Sequence, residues 1–290
     1  MWLLLANPTS GGGKGARLSR MVSEYLVKQN IVFREISGGS YKESAKNLKD
    51  HVTAQPSELL GVIVVGGDGM VHLAVQELAG TEIPLAVIPA GTGNDLARAL
   101  NLPLNNPELL IGNFLNRKPT KVDLGKVNGR IFAGILSTGF DSIVNERANR
   151  MTMVKGRMKY NAAILLELPT FKPKTYEFRI DGITFTTKAM LIAVSNGISY
   201  GGGMKVTPEA KIDDGLFDVM VLGPVSKIEF LRVFPKVFSG GHVNHPAVKI
   251  LRGKEVEINA DAVAYADGER IGELPIHAEV LPESLLTWRL

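Results

Sequence analysis

The chain of 290 residues contains no cysteine, so neither a thiolate metal site nor a cysteine nucleophile is available to it. It also lacks any apolar run approaching the roughly 20 residues that cross a bilayer as a helix. Met1 to Ala6 is apolar but is interrupted by Asn7-Pro8, too early for the core of a signal peptide. Cytoplasmic residence is therefore expected, and the missing cysteine is compatible with it. No sign of charge dominates: 33 Lys and Arg stand against 29 Asp and Glu, and no aromatic-rich basic strand is present, so a nucleic-acid partner is not expected. There is no internal repeat. His242 and His245 are close in sequence, but Gly240-Gly241 and Pro246 around them indicate a loop rather than a metal-binding helix.

The familiar nucleotide motifs fail as well. A Walker A loop needs a Gly five residues before Gly-Lys and a hydroxyl after it, whereas Pro8 precedes Gly13-Lys14 and Gly15 follows. Gly67-Asp68-Gly69 continues with Met70, Val71 and His72, which lacks the third glycine of a dinucleotide fingerprint. No G-x-S-x-G elbow occurs.

What the chain does have is one kind of turn, used three times. The apolar run Val62 to Val65 leads into Gly66-Gly67-Asp68-Gly69 and then a helix. Glycines let backbone N–H groups approach an anion, the helix start adds its positive dipole end, and Asp68 can hold a divalent cation against the same oxygens. Alone, the segment reads equally well as a strand-to-helix turn with a capping Asp. The strand Trp2 to Ala6, however, leads into Asn7-Pro8-Thr9-Ser10-Gly11-Gly12-Gly13-Lys14. The strand Pro84 to Ile88 leads into Pro89-Ala90-Gly91-Thr92-Gly93-Asn94-Asp95. In an open parallel sheet, turns that follow strands lie along one edge, where ligands bind.

With 45% hydrophobic and 21% charged residues, the chain can bury substantial cores, most simply as two domains. Strands at 2–6, 31–36, 61–65 and 84–88 alternate with helical patterns at 15–29, 41–53, 70–79 and 93–100, predicting an α/β domain with a mainly parallel sheet over residues 1–125. From 126 to 281 the pattern changes to β-rich runs at 174–181, 183–195, 216–222, 247–251, 254–259 and 274–281. These predict antiparallel pairing, with Asp181-Gly182 as a hairpin turn.

The three turns together resemble the diacylglycerol kinase catalytic family of lipid kinases, which includes sphingosine and ceramide kinases and soluble bacterial enzymes. The matching stretches are Asn7 to Gly11, Gly66 to Gly69 and Pro89 to Asp95. The likeness continues through Val122-Asp123-Leu124-Gly125, Ser137-Thr138-Gly139-Phe140-Asp141, Ser195-Asn196-Gly197, Lys211 to Leu216 and Asp267-Gly268-Glu269. It implies a nucleotide domain like that of NAD kinases and phosphofructokinases, a C-terminal antiparallel β-sandwich, and a return of residues 282–290 to the first domain. It also implies ATP-dependent phosphorylation of a lipid hydroxyl, first of all that of diacylglycerol to give phosphatidic acid. The alternatives are another acceptor (a sphingoid base, phosphatidylglycerol or NAD), or a nucleotide- or lipid-binding protein without turnover.

By the same resemblance, Asn7, Pro8, Thr9, Ser10, Gly11, Ser37, Gly66, Gly67, Asp68, Gly69, Gly91, Thr92 and Asn94 contact ATP. Asp68 and Asp95 serve the metal and phosphates, and Glu269 is the base that takes the hydroxyl proton. Asp267-Gly268 is also a strong hairpin signal, and the alternative reading of Asp95 is a helix-cap residue beside Asn94. The resemblance further implies that Asp214 and the carbonyls of Lys211 and Leu216 hold a structural Mg2+, an all-oxygen set suited to a hard cation. Asp213-Asp214-Gly215 is otherwise a loop before a strand.

Two positions depart from the family pattern: Met70 stands where a hydroxyl is usual, and Leu73 where a carboxylate is usual. Finally, Arg147, Arg150, Lys155, Arg157 and Lys159 are interleaved with Met151, Met153, Val154 and Met158. That mixture suits transient peripheral contact with an anionic membrane surface, or else a solvated basic face over a methionine-filled core. A homodimer is a further partner expectation.

Overall fold

The apolar runs of the N-terminal half form strands, and the periodic segments between them form helices, in the order β1 (Trp2–Ala6), α1 (Lys14–Lys28), β2 (Phe33–Glu35), α2 (Tyr41–Ala54), β3 (Gly61–Gly66), α3 (Asp68–Leu78), β4 (Leu85–Pro89), α4 (Asp95–Ala99) and α5 (Pro107–Asn116). The computed structural model describes residues 1–54, 56–151 and 157–290. They divide into two units, Met1–Leu124 with Leu281–Leu290, and Gly125–Val280.

In the first unit the strand order is β2-β1-β3-β4, with every pair parallel. β1, β3 and β4 are buried along their whole length, as expected of parallel strands covered on both faces. On α1, Leu18, Val22 and Leu26 recur every fourth residue and are buried, so one stripe of that helix packs inward. All of the strand-to-helix turns named above leave the carboxyl ends of β1, β3 and β4.

The chain continues through β5 (Thr120–Val127), β6 (Arg130–Phe132), β7 (Ile135–Gly139), α6 (Phe140–Arg150), α7 (Arg157–Glu167), β8 (Lys174–Ile180), β9 (Ile183–Ala189), β10 (Leu191–Ser195), β11 (Phe217–Leu222), α8 (Lys227–Val233), β12 (Val248–Gly253), β13 (Glu255–Asn259), β14 (Val263–Ala266), β15 (Glu269–Glu273) and β16 (Ile276–Thr287). In the second unit β16 pairs antiparallel with β13, β13 with β8, and β8 with β9. A second antiparallel sheet has the order β12-β11-β10-β7-β14-β15. Tyr176, Phe178 and Ile180 alternate inward on β8 and share one core with Leu136, Ile192, Val194, Phe217 and Val219, the interior of a sandwich.

The Asp181-Gly182 hairpin forms as expected, with φ of 46° and 85° at its two central residues. The run at 183–195 is not one strand. It breaks at Met190, with β9 in one sheet and β10 in the other. The run ending at 281 is longer than its pattern suggested, since β16 reaches Thr287 and pairs there with Leu85 of β4. The helices α6, α7 and α8 lie between the β-rich runs, at positions for which the sequence pattern gave no element.

The C-terminal residues are pinned into the first unit by Trp288, which is buried. Its ring centroid is 5.9 Å from that of Trp2 and 5.2 Å from that of Phe114, and its Nε1–H donates to the Arg117 carbonyl at 2.7 Å. Trp288→Ala is expected to lower the unfolding free energy of this unit by about 3–5 kcal/mol. Urea unfolding followed by the fluorescence of Trp2, the one indole then left of two, measures it; a loss near zero would mean the C-terminal return contributes nothing to stability.

Candidate active site

The three glycine turns of the first unit are stitched to one another. A Cβ added at Gly11 would meet the Ala90 carbonyl oxygen at 2.2 Å, and one added at Gly91 would meet the Gly67 Cα at 2.5 Å. Only glycine permits these approaches, which is why the turns are built from it. Ser10 neighbours Gly66, its Oγ lying 3.9 Å from where a Cβ on that glycine would stand.

Asp68, in the first turn of α3, ties the second turn to the third. The backbone N–H of Asn94 donates to its Oδ2 at 2.9 Å and that of Asp95 to its Oδ1 at 2.6 Å. Asn94, in the left-handed region at φ 57°, spends its side chain on its own loop. It accepts from the Gly91 N–H at 3.0 Å and donates to the Gly91 carbonyl at 2.9 Å. A Cβ at Gly93 would stand 2.3 Å from Asp68 Oδ2 and 3.5 Å from Asp95 Oδ2, so two carboxylates converge on this glycine. Arg98 Nε donates to the Gly93 carbonyl at 3.0 Å.

The first turn has its own closure, with Asn7 Oδ1 accepting from the Thr9 N–H at 3.0 Å and the Thr9 hydroxyl at 2.8 Å. Ser37, at the end of β2, accepts from the Ala6 N–H at 2.8 Å. Gly11, Gly69 and Thr92 are exposed. The residues proposed from sequence for the nucleotide thus gather in one unit, although Asn7, Ser37 and Asn94 place their side chains on backbone or neighbouring loop groups. Exposed glycine N–H groups and paired carboxylates suit a polyphosphate with a divalent cation.

A second group of the sequence-named stretches gathers in the Gly125–Val280 unit. Asp267, with φ 48° at the turn between β14 and β15, accepts from the backbone N–H groups of Ala133, Gly134 and Ile135 at 2.7, 2.9 and 3.2 Å. The Asn196 N–H donates to the Gly134 carbonyl at 2.9 Å and its side chain to the Ala133 carbonyl at 3.0 Å. This knits the 133–135, 195–197 and 267–269 segments together, and Glu269 opens β15 with an exposed side chain. Nearby in sequence, Asp141 at the start of α6 accepts from Ser137 Oγ at 2.6 Å and Asn145 Nδ2 at 3.1 Å. Burial pushes its carboxyl above the usual Asp range, while its bonds to Ser137 and Tyr200 pull the other way.

In the Lys211 to Leu216 loop, Asp214 Oδ1 accepts from the Leu216 N–H at 3.2 Å and Oδ2 pairs with Arg252. Arg252 Nε also reaches Asp218 at 3.3 Å. Asp218 is buried, its Oδ2 has no hydrogen-bond partner, and burial raises its carboxyl above the ordinary range, aided by the nearby charges of Asp214 and Glu209 against Arg252. The oxygen-only donor set and the orphaned Asp218 oxygen fit a hard cation, in competition with the guanidinium that already neutralises Asp214.

Residues 1–127 match the family described as the diacylglycerol kinase catalytic domain, and residues 134–288 that described as the YegS C-terminal NAD kinase beta sandwich-like domain. A diacylglycerol kinase of Mycobacterium tuberculosis is 37% identical over 292 residues, covering 98% of this chain and 94% of that protein. The chain belongs to the diacylglycerol kinase catalytic family. A diacylglycerol kinase of Bacillus subtilis is 31% identical over 219 residues, 74% of this chain and 72% of its own. The fold matches a crystal structure of a diacylglycerol kinase from Bacillus anthracis with a TM-score of 0.75 at 21% identity, over 100% of this chain and 96% of that one.

A lipid kinase of this family uses ATP, and its two departures from the family pattern can now be placed. Met70 and Leu73 are both buried, and Met70 packs on Gly66, where an added Cβ would lie 2.7 Å from the Met70 Cβ. Both side chains serve the core behind the turn, so their exchange leaves the Asp68 bonds in place. Asp123, Asp141 and Asp267 received no role from sequence, although each lies inside a quoted stretch. Among the described residues no helix is long and apolar enough to cross a membrane.

Asp141 generates a pH prediction. Its folded carboxyl keeps a proton above the unfolded value of about 3.9, so the folded state binds more protons there and stability falls as pH rises through that window. Asp141→Asn is expected to keep the Ser137 and Asn145 bonds and to flatten this fall, stabilising the protein at pH 7 relative to pH 4. Urea midpoints across pH 4 to 7 test it, and parallel curves for the two proteins would exclude Asp141 as the source.

Proposed function

We propose that this protein transfers the γ-phosphoryl group of ATP to the free hydroxyl of diacylglycerol, giving phosphatidic acid and ADP. The observation that carries the reading is the stitched set of turns after β1, β3 and β4, in which Asp68 holds the Asn94 and Asp95 N–H groups and lies beside Asp95 at Gly93. Phosphoryl transfer asks the protein mainly for alignment and charge neutralisation, and glycine N–H groups with carboxylate-held magnesium are the parts that supply both.

In the proposed step the lipid hydroxyl oxygen forms a bond to the γ-phosphorus as the bond from that phosphorus to the β,γ-bridging oxygen breaks. The hydroxyl proton passes to the Glu269 carboxylate, and the electron pair leaves on ADP. Asp267 fixes the turn that presents Glu269, and its three N–H bonds mean that it is not itself the proton acceptor. Asp68 and Asp95 would hold a magnesium ion that offsets the negative charge of the phosphates; a second ion held by Asp214 with the Lys211 and Leu216 carbonyls would stiffen that loop.

Asp68→Ala is expected to abolish detectable turnover, and Glu269→Ala to reduce it by about 10²- to 10⁴-fold with the circular dichroism spectrum unchanged. The assay presents diacylglycerol, a sphingoid base, phosphatidylglycerol and NAD in mixed micelles with labelled ATP and magnesium. Label in a product other than phosphatidic acid reassigns the acceptor, and wild-type turnover by either variant refutes the residue roles.

A further inference from the structure

Among the described residues of the Gly125–Val280 unit, large apolar side chains mostly lie in its cores; apart from Ile183 and Ile250, the exposed ones, Tyr160 included, lie on α7, on α8 and in the turn that follows α8. Leu165 and Leu166 on α7 are 62% and 55% exposed, Ile228 and Leu231 on α8 are 65% and 45% exposed, and Phe238 in the 3-10 turn that follows is 45% exposed. Their helices are firmly seated on the opposite side. Phe140 meets the rings of Phe171 and Phe230 edge-on, each at 5.1 Å, and Phe230 stacks on Phe234 at 5.7 Å. Ile164 and Leu168 of α7 are buried in the same cluster. Lys227 sits over the Phe171 ring at 5.7 Å, joining the start of α8 to the segment after α7. A capping box of Ser226 and Glu229 closes the start of α8. The exposure therefore belongs to an ordered surface, not to a frayed end, and Ile228 and Leu231, three residues apart, share one side of α8.

The charges around this surface are of one sign. Lys172 follows Phe171, Arg232 follows Leu231, and Lys236 lies two residues before Phe238, and all three are exposed. The acids of the same segments are occupied: Glu167 pairs with Arg147, and Glu229 with the α8 cap and His245 at 3.1 Å. Apolar side chains ringed by unneutralised cations match the surface of a bilayer that contains anionic lipid, where the former enter the acyl boundary and the latter meet the negative surface potential.

We infer that this α7–α8 face seats the protein on an anionic bilayer, an inference that rests on the reading of the acceptor as a lipid. It differs from the basic, methionine-interleaved stretch singled out in the sequence. There, Met153, Val154 and Lys155 lie outside the described residues, as do the side chains of Arg157, Met158 and Lys159, while Arg147 is engaged by Glu167.

The test is flotation of the full chain with phosphatidylcholine vesicles, with and without phosphatidylglycerol. Wild type is expected to bind the vesicles containing phosphatidylglycerol and to release them as salt rises. The variants Ile228→Glu with Leu231→Glu, and separately Arg232→Ala with Lys236→Ala, are expected to bind about tenfold more weakly or worse. Both are expected to match wild type on a short-chain diacylglycerol kept below its aggregation concentration, since neither pair belongs to the catalytic machinery. Absence of wild-type binding, or wild-type binding by both variants, overturns the inference. So does a wild-type dimer that the Ile228→Glu, Leu231→Glu variant dissociates with vesicle binding intact, because the face is then an interface between copies. Vesicle binding that follows the expected pattern without phosphorylation of any lipid supports the surface and refutes the acceptor reading alone.

Discussion

The N-terminal unit depends on a single carboxylate used twice. Asp68 lies in the first turn of α3, where its charge faces the positive end of that helix, and its two oxygens also take the N–H groups of Asn94 and Asp95. Without it those two donors would be left unpaired in a partly buried loop, at about 1–3 kcal/mol each. The Gly67 and Gly91 backbones, at a spacing that excludes even a Cβ, would then keep the Ala90 N–H to Gly66 carbonyl bond at 2.8 Å but lose the side-chain tie between their turns. The carboxylate keeps lone pairs beyond the two N–H bonds, so fixing the loop and facing a cation are compatible duties.

The C-terminal unit solves its own problem in the same way. Asp267 gathers three backbone N–H groups from the β6–β7 connection, and Asn196 adds two bonds to the same connection. In both units an Asp followed by Gly is first a clamp on distant backbone, because a carboxylate can accept several N–H groups and glycine lets the chain come close enough to donate them. That separates the residues of the Asp267-Gly268-Glu269 stretch by task. Asp267 is committed to structure, Gly268 supplies the left-handed turn at φ 84°, and the side chain left outward is Glu269.

Much of this was legible in the sequence, for physical reasons that differ by region. The parallel strands read clearly because burial on both faces demands unbroken apolar runs, and the glycine turns read clearly because close backbone approach leaves no other residue. The break at Met190 did not, since β9 and β10 are both acceptable strand sequences and only their partners in different sheets separate them. Nor did the clamps. The Asp123 oxygen that accepts the Glu283 N–H at 2.8 Å is 160 residues away from it in sequence, and no local spacing encodes such a pairing. The exposure of Leu165, Leu166, Ile228 and Leu231 was hidden for the opposite reason: an apolar residue on a helix reads as core unless its surroundings are known.

The Lys211 to Leu216 loop shows how far electrostatics alone can carry an assignment. Ser195 and Asp218 are direct cross-strand partners on β10 and β11, and Asp218 is in turn the partner of Arg252 on β12. Ser195 Oγ and Asp218 Oδ2 are both buried without a hydrogen-bond partner. Asp214 and Glu209 press on the charge of Asp218, and Arg252 is the guanidinium set against Asp218 and Asp214. One cation serving several carboxylates, one of them buried, leaves negative charge that desolvation makes costly. The protein answers part of that imbalance by raising the proton affinity of Asp218. Arg252, shared between Asp214 and Asp218, answers another part, so the two carboxylates are coupled through a single guanidinium.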